Sequence, residues 1–284
     1  MILVTGATGT VGRELVKQLG AKGAKVRAMT RHPEKVRPPV SGEIEFVRGD
    51  FEDRASLLRA LEGIDTVFLL SAPGPKVAIH DLAMVEAAIR SRVRKMVKLA
   101  GMSAEGYSTF KVGSWHRPGE EALQTSGLAW TLLRPSSFAS NTLRWAPAIR
   151  AGNPVPIATG DGKQGVIDPR DIAAVAAAVL TSNQHAGNVY TLTGPELLSA
   201  KEQLEVLSRV LKRPLKAVEL TVEAARTQMI AAGVPEAQAD IAAEASAFVR
   251  AGGSAMLANG VEAVLGHKPR RFEDWARDFA VAFA

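Results

Sequence analysis

Two rhythms of apolar and polar residues alternate along roughly the first two-thirds of the chain. Short apolar runs recur at 2–5 (ILVT), 25–30 (KVRAMT), 44–48 (IEFVR), 66–70 (TVFLL), 95–100 (KMVKLA), 129–134 (AWTLLR) and 188–193 (NVYTLT). Runs of this length and β-rich content predict strands, and their near-continuous apolar character predicts that both faces are covered. Longer stretches with helical spacing separate them, at 11–22, 54–62, 77–90, 115–126 and 169–181. In 77–90, Leu82, Val85 and Ile89 stand at i, i+3 and i+7, which is helical spacing. The alternation predicts an α/β fold: a Rossmann-type doubly wound parallel sheet.

The rhythm changes after residue 200. The chain becomes rich in alanine and helical, at 200–211, 222–232, 235–250 and 272–282, with breaks at Pro214, Gly233-Val-Pro235 and Gly252-Gly253. Residues 140–166 are rich in glycine and proline. We therefore expect a sheet domain from 1–139 plus 167–199, and a smaller, mainly helical C-terminal lobe from 140–166 plus 200–284.

The first strand runs into Gly6-Ala-Thr-Gly9-Thr-Val-Gly12, and a helix follows. The first glycine lets the chain turn sharply off the strand. The second leaves room for a pyrophosphate against the backbone, and the third lets the helix pack on the sheet. The helix N-terminus offers free N–H groups to the anion, and Thr8 and Thr10 offer hydroxyls. The spacing is G-x-x-G-x-x-G rather than G-x-G-x-x-G, but its strand–turn–helix setting predicts dinucleotide binding. The second strand ends Thr30-Arg31-His32, without the acid that NAD binders place on the ribose. Arg31 is placed for a 2′-phosphate, or stands as a solvated arginine at a strand end. NADP(H) is thus preferred, with NAD(H) possible. Asp50 follows the third strand, where it faces either the adenine amino group or the helix 54–62 as its N-cap. Ser71-Ala-Pro73 follows the fourth strand, again at a C-terminal end where ligands bind.

Composition narrows the chemistry. The 284 residues are 46% hydrophobic and 23% charged, and no apolar run is long enough to cross a membrane. There is no cysteine, which excludes thiolate catalysis and Cys-ligated metal. The chain enters its first strand at once, without a basic leader, so a cytoplasmic location is expected. The net charge of +6 suits anionic ligands, but the basic residues are scattered without an aromatic stripe, which argues against nucleic acid. His116 and Glu120 alone are too sparse for a metal site, and no G-x-S-x-G elbow is present.

The stretches GATGTVG, TRHPEK, GDFED, SGLAWTLLRPSSF, IDPRDIA, YTLTGPE and FEDWARDFA together resemble the NmrA-like atypical short-chain dehydrogenases over nearly the whole chain. The resemblance implies NAD(P) binding at Gly6, Thr8, Gly9, Thr10, Arg31, Asp50 and Ser71, with Val11, Phe51, Ala72, Pro73 and Ala100 completing the cofactor site. It implies reduction of quinones, azo compounds or aromatic carbonyls, although some members sense nicotinamide redox state instead of catalysing.

Tyr107-Ser-Thr-Phe-Lys111 has the Tyr-x-x-x-Lys spacing of the usual catalytic pair. Members that keep the pair place the lysine five residues before the second glutamate of the following helix, here Glu121, and the tyrosine four earlier. Those places are His116 and Val112, so Tyr107 and Lys111 lie five residues too early. The usual serine position reads Ala100, and Ser103 is the nearest hydroxyl. His116 is then a candidate acid, since imidazole titrates near neutrality, or a structural partner of Glu120 one helical turn on. Asp168 is expected to cap the helix 169–181. Phe138, Asn141 and Trp145 are candidates for the substrate pocket. The expected function is an NAD(P)H-dependent reductase that passes hydride to a quinone-like or aromatic carbonyl molecule. The alternatives are a catalytically silent NADP(H)-binding sensor and a helper of an oxygenase system.

Overall fold

The computed structural model describes residues 1–36, 42–102 and 114–284. Seven parallel strands form the main sheet: β1 (Ile2–Val4), β2 (Val26–Thr30), β3 (Ile44–Arg48), β4 (Thr66–Leu69), β5 (Lys95–Leu99), β6 (Ala129–Pro135) and β9 (Asn188–Leu192). Their spatial order is β3-β2-β1-β4-β5-β6-β9. The order reverses between β1 and β4, which pair as Ile2 with Thr66 and Val4 with Phe68. A crevice opens at such a switch point, beyond the C-terminal strand ends.

Two layers of helix cover the sheet. One face packs on α1 (Thr10–Ala21) and α6 (Pro169–Thr181), through Leu15, Leu19, Ile172 and Val179. The other packs on α2 (Arg54–Ala60), α3 (Val77–Arg90) and α4 (Arg117–Gln124), through Leu57, Met84, Val85 and Leu123. The seven strands lie where the runs predict them, most plainly the inner ones, because a doubly covered strand has no polar face to blur the pattern, whereas the edge strands β3 and β9 keep exposed positions. In α3, however, Leu82 and Ile89 are exposed, at 43% and 46%, and only Val85 of that predicted row is buried. The buried face runs through Val77, Asp81, Met84, Val85 and Ala88 instead.

A third core lies outside the sheet. Trp145, Ile149, Val155 and Ile157 meet Leu204, Leu207, Phe272, Trp275 and Phe283. Its framework includes α7 (Ala200–Val210) and α11 (Phe272–Asp278), but it is not wholly helical. Strand β8 (Lys163–Gly165) pairs antiparallel with β10 (Leu197–Ser199), and β7 (Val155–Ile157) pairs parallel with β11 (Ala217–Glu219). Strand β10 lies within the span that the sequence allots to the sheet domain. Three-residue strands carry too few positions for a period to be read.

Candidate functional site

The crevice is a cleft of about 1290 Å³. Gly6, Thr8, Gly9, Thr10 and Val11 line it from β1 and α1, and Arg31, Asp50 and Phe51 from the ends of β2 and β3. Ser71, Ala72 and Pro73 line it beyond β4, with Leu99 at the end of β5 and Phe138 and Asn141 beyond β6. Ala100 is buried just past Leu99 and is not on the wall. Trp145 is not on the wall either. It is 6% exposed and fills the third core, where its indole buries more apolar area than a cleft wall would allow. Ser103, Tyr107, Lys111 and Val112 lie outside the described residues.

The glycine turn is shaped for a close ligand. Gly6 has φ +61°, a left-handed value that favours glycine. A Cβ on Gly12 would stand 2.1 Å from the Gly6 carbonyl oxygen and 2.9 Å from Ala7 Cα, both backbone atoms that cannot swing aside. A Cβ on Gly9 would meet little protein, with Gly6 O at 3.3 Å, so this position faces open space. Gly9 is the N-cap of α1, whose first turn carries no acidic residue to repel an anion. These features fit a pyrophosphate. Gly12→Ala is expected to push α1 off the turn. NADPH affinity should fall at least about tenfold and stability by about 1–3 kcal/mol. Fluorescence titration and thermal melting check this, and parent affinity in the variant would refute the packing argument.

At the outer end of the cleft, Arg31 is exposed, and Arg13, Lys17, His32 and Lys35 line the same wall. This basic rim is broader than sequence reading suggests, because α1 and β2 bring its members together in space. Asp50 does not cap α2. Asp53 does, with its Oδ1 accepting from Ser56 N at 3.1 Å, while Asp50 Oδ1 accepts from Glu52 N at 3.0 Å. The Phe51 ring stacks on His80 at 5.1 Å between centroids.

Behind the inner end lies a buried polar network. Ser71 Oγ donates to Asp81 Oδ1 at 2.6 Å, and Lys98 Nζ donates to Asp81 Oδ2 at 2.6 Å. The Asp81 and Lys98 side chains are both 0% exposed. The Lys98 ammonium is further satisfied by Leu99 O at 3.5 Å and His116 Nδ1 at 3.4 Å. An accepting Nδ1 leaves the imidazole proton on Nε2. A Cβ on Gly119 would lie 2.5 Å from Asp81 Cβ, so α4 closes tightly over the carboxylate.

This network corrects the expectation for His116. Burial, and then the Lys98 charge, push its pKa from 6.5 down to about 3. The ring is neutral at physiological pH, so it is not an acid that titrates near neutrality. Nor does it pair with Glu120. That carboxylate is buried against Arg134 on β6, which donates through Nη2 at 2.7 Å and Nε at 3.2 Å. Sequence reading passed over Lys98 and Asp81, yet a signal was present. A lysine in the middle of a doubly covered strand must find a buried partner. Asp168 caps α6 as expected, accepting from Arg170 N at 2.8 Å. No group of three metal-ligating side chains occurs among the described residues, and none of the described helices is long and apolar enough to cross a membrane.

A protein-family model described as NAD(P)H-binding matches residues 6–183. The chain is 42% identical to a (4-alkanoyl-5-oxo-2,5-dihydrofuran-3-yl)methyl phosphate reductase of Streptomyces griseus, over 100% of this chain and 99% of the relative. It is 35% identical to an NAD(P)H azoreductase of Xenophilus azovorans, again over 100% of this chain and 99% of the relative. Among solved structures, an NADPH-dependent quinone oxidoreductase of Escherichia coli complexed with NADPH superposes with a TM-score of 0.89 at 25% identity, covering 99% of this chain and 100% of that one. The glycine cradle, the basic rim and these likenesses agree: the chain belongs to the NAD(P)H-binding family and is an NAD(P)H-dependent oxidoreductase of the NmrA-like, atypical short-chain kind.

Proposed function

We propose that the protein prefers NADPH and reduces a conjugated acceptor, either a quinone-like molecule or an aromatic or unsaturated carbonyl compound. The observation that carries this reading is the single cleft joining the glycine turn and Arg31 to Phe138 and Asn141. Bound NADPH supplies the hydride. The chain's own part is placement. Gly6, Gly9 and the first turn of α1 hold the pyrophosphate, Arg31 receives the 2′-phosphate, and Leu99 and Phe138 offer apolar wall to flat rings. A conjugated acceptor suits a site whose candidate acid, His116, is a half-buried imidazole that stays neutral at physiological pH. The electron pair spreads onto an oxygen that collects its proton from water. The relatives' names point the same way, since azo compounds, quinones and an acyl-butenolide are all conjugated.

The test is NADPH oxidation by purified protein against a panel of quinones, an azo dye and a 4-acyl-butenolide. Rapid acceptor-dependent oxidation is expected. Tight NADPH binding with no oxidation by any of them would overturn the reductase reading in favour of a sensor. Arg31→Ser should weaken NADPH about tenfold, the lower end for a charge-assisted contact because the arginine is exposed, and leave NADH unchanged. Equal loss for both cofactors would remove Arg31 from the 2′-phosphate.

A further inference from the structure

The 3₁₀ helix Ala139–Trp145 follows β6, at the end of the cleft away from Arg31. Such a helix has three residues per turn, so side chains three apart share a row. Ala139, Thr142 and Trp145 form one row, at 0%, 2% and 6% exposure, and Ala139 and Trp145 are fixed in the third core. Asn141 belongs to the next row with Phe138, and both line the cleft. Asn141 is exposed there, and its backbone N–H donates to Phe138 O at 3.0 Å. The carboxamide thus stands in the cleft on an element whose other face is locked by packing.

Reduction of a conjugated acceptor places negative charge on the atom that receives the displaced electron pair, and a hydrogen-bond donor aimed at that atom lowers the barrier. Beyond β4, β5 and β6, the cleft-lining side chains with a polar atom are Ser71 and Asn141 among the described residues, while Pro73, Leu99 and Phe138 are apolar. His80 also lines the cleft, but at the opposite end, stacked on Phe51. Ser71 has no proton to give. Its hydroxyl carries one, which goes to Asp81 Oδ1 at 2.6 Å, and a carboxylate paired with Lys98 only accepts. The Asn141 Nδ2 carries two N–H groups, and one of them meets Ser137 Oγ at 3.2 Å. With the amide turned over, Ser137 would donate to Oδ1 and both N–H groups would be free. Either orientation keeps a donor for the cleft.

We propose that Asn141 is a catalytic residue, whose carboxamide N–H donates a hydrogen bond to the acceptor atom that becomes negative on reduction. This rests on the reductase reading and adds the group that stabilises the developing charge. Hydride leaves the dihydronicotinamide ring with its electron pair and bonds to the electrophilic atom of the acceptor. The acceptor's π pair moves onto its conjugated oxygen or nitrogen, NADP⁺ remains, and water supplies the proton that completes the product. Asn141 keeps both of its own protons throughout.

The experiment measures hydride transfer in single turnovers, at saturating NADPH and acceptor, for the parent, Asn141→Ala and Asn141→Asp. The acceptors are a series of substituted compounds from whichever class of the panel the parent reduces. The rate should fall about 10- to 100-fold in Asn141→Ala, less than for an enclosed oxyanion hole because the residue is exposed. Asn141→Asp, of the same shape but with an anion in place of the donor, should fall further. NADPH affinity should be unchanged in Asn141→Ala. The loss should also grow along the series as the reduced acceptor becomes a weaker acid, since more charge then rests on the atom that Asn141 faces. A loss equal across the series, or a matching loss of NADPH affinity, would make Asn141 a positioning group and overturn the proposal while the reductase reading stands. Parent rates in both variants would overturn it as well. A parent that reduces no acceptor of the panel defeats the reductase reading and this proposal with it.

Discussion

Asp81→Ala should destabilise the protein by about 3–5 kcal/mol, a large share of the stability of an ordinary domain. The reason lies in what remains behind. Lys98 is fully buried on β5, and Asp81 is its carboxylate partner at 2.6 Å. The alanine leaves an ammonium with Leu99 O and a neutral imidazole, and Gly119 packs too closely for easy entry of water. Ser71, on the cleft wall, loses its acceptor in the same step. Urea unfolding of Asp81→Ala and of the double variant Asp81→Leu/Lys98→Met separates the two contributions. The double variant should recover most of the loss, since it removes both charges rather than stranding one. A cost below about 1 kcal/mol for Asp81→Ala would mean that the network is hydrated and the burial argument wrong.

Acid should destabilise the protein partly through His116. In the unfolded chain the imidazole titrates near 6.5, and in the native protein burial and Lys98 hold it at about 3. Between these values the unfolded chain binds the extra proton, so native stability rises with pH, by up to about 1.4 kcal/mol per pH unit. The contribution is complete above 6.5 and is lost as pH falls toward 3. In His116→Gln, the loss of stability between pH 6.5 and 5 should be smaller by about 2 kcal/mol. His185 is also shifted down, by burial first, but contributes equally in parent and variant. Denaturant melts at several pH values give the comparison. Identical slopes would show that His116 takes up its proton in the folded state.

Much of the fold could be read from the chain because a doubly covered parallel sheet writes itself as apolar runs. The run 129–134 became β6, and 188–193 became β9, with only end residues differing. The glycine turn was legible for a related reason. Its three glycines answer to local backbone demands, and Gly12 against the Gly6 carbonyl is such a demand. Contacts across the fold were harder. His116 looks like a neutral-range acid until β5 brings Lys98 beside it, some eighteen residues earlier in the chain. Asn141 and Trp145 share one short helix, yet one lines the cleft and the other fills a core. Only the three-residue period of a 3₁₀ helix, which the apolar pattern does not announce, sorts them. The stretch Tyr107–Lys111 has the right letters, but its spacing from Glu121 argues against it, and it lies outside the described residues.

The third core also sets an order of events during biosynthesis. The glycine turn and the strands that face the cofactor emerge from the ribosome early. The 3₁₀ helix that carries Asn141 follows, with Ala139 and Trp145 behind it still waiting for Phe272, Trp275 and Phe283. A nascent chain can therefore shape its nucleotide cradle well before its acceptor wall is propped. A translation product that stops short of residue 272 would carry the cradle without the residues that prop its acceptor wall.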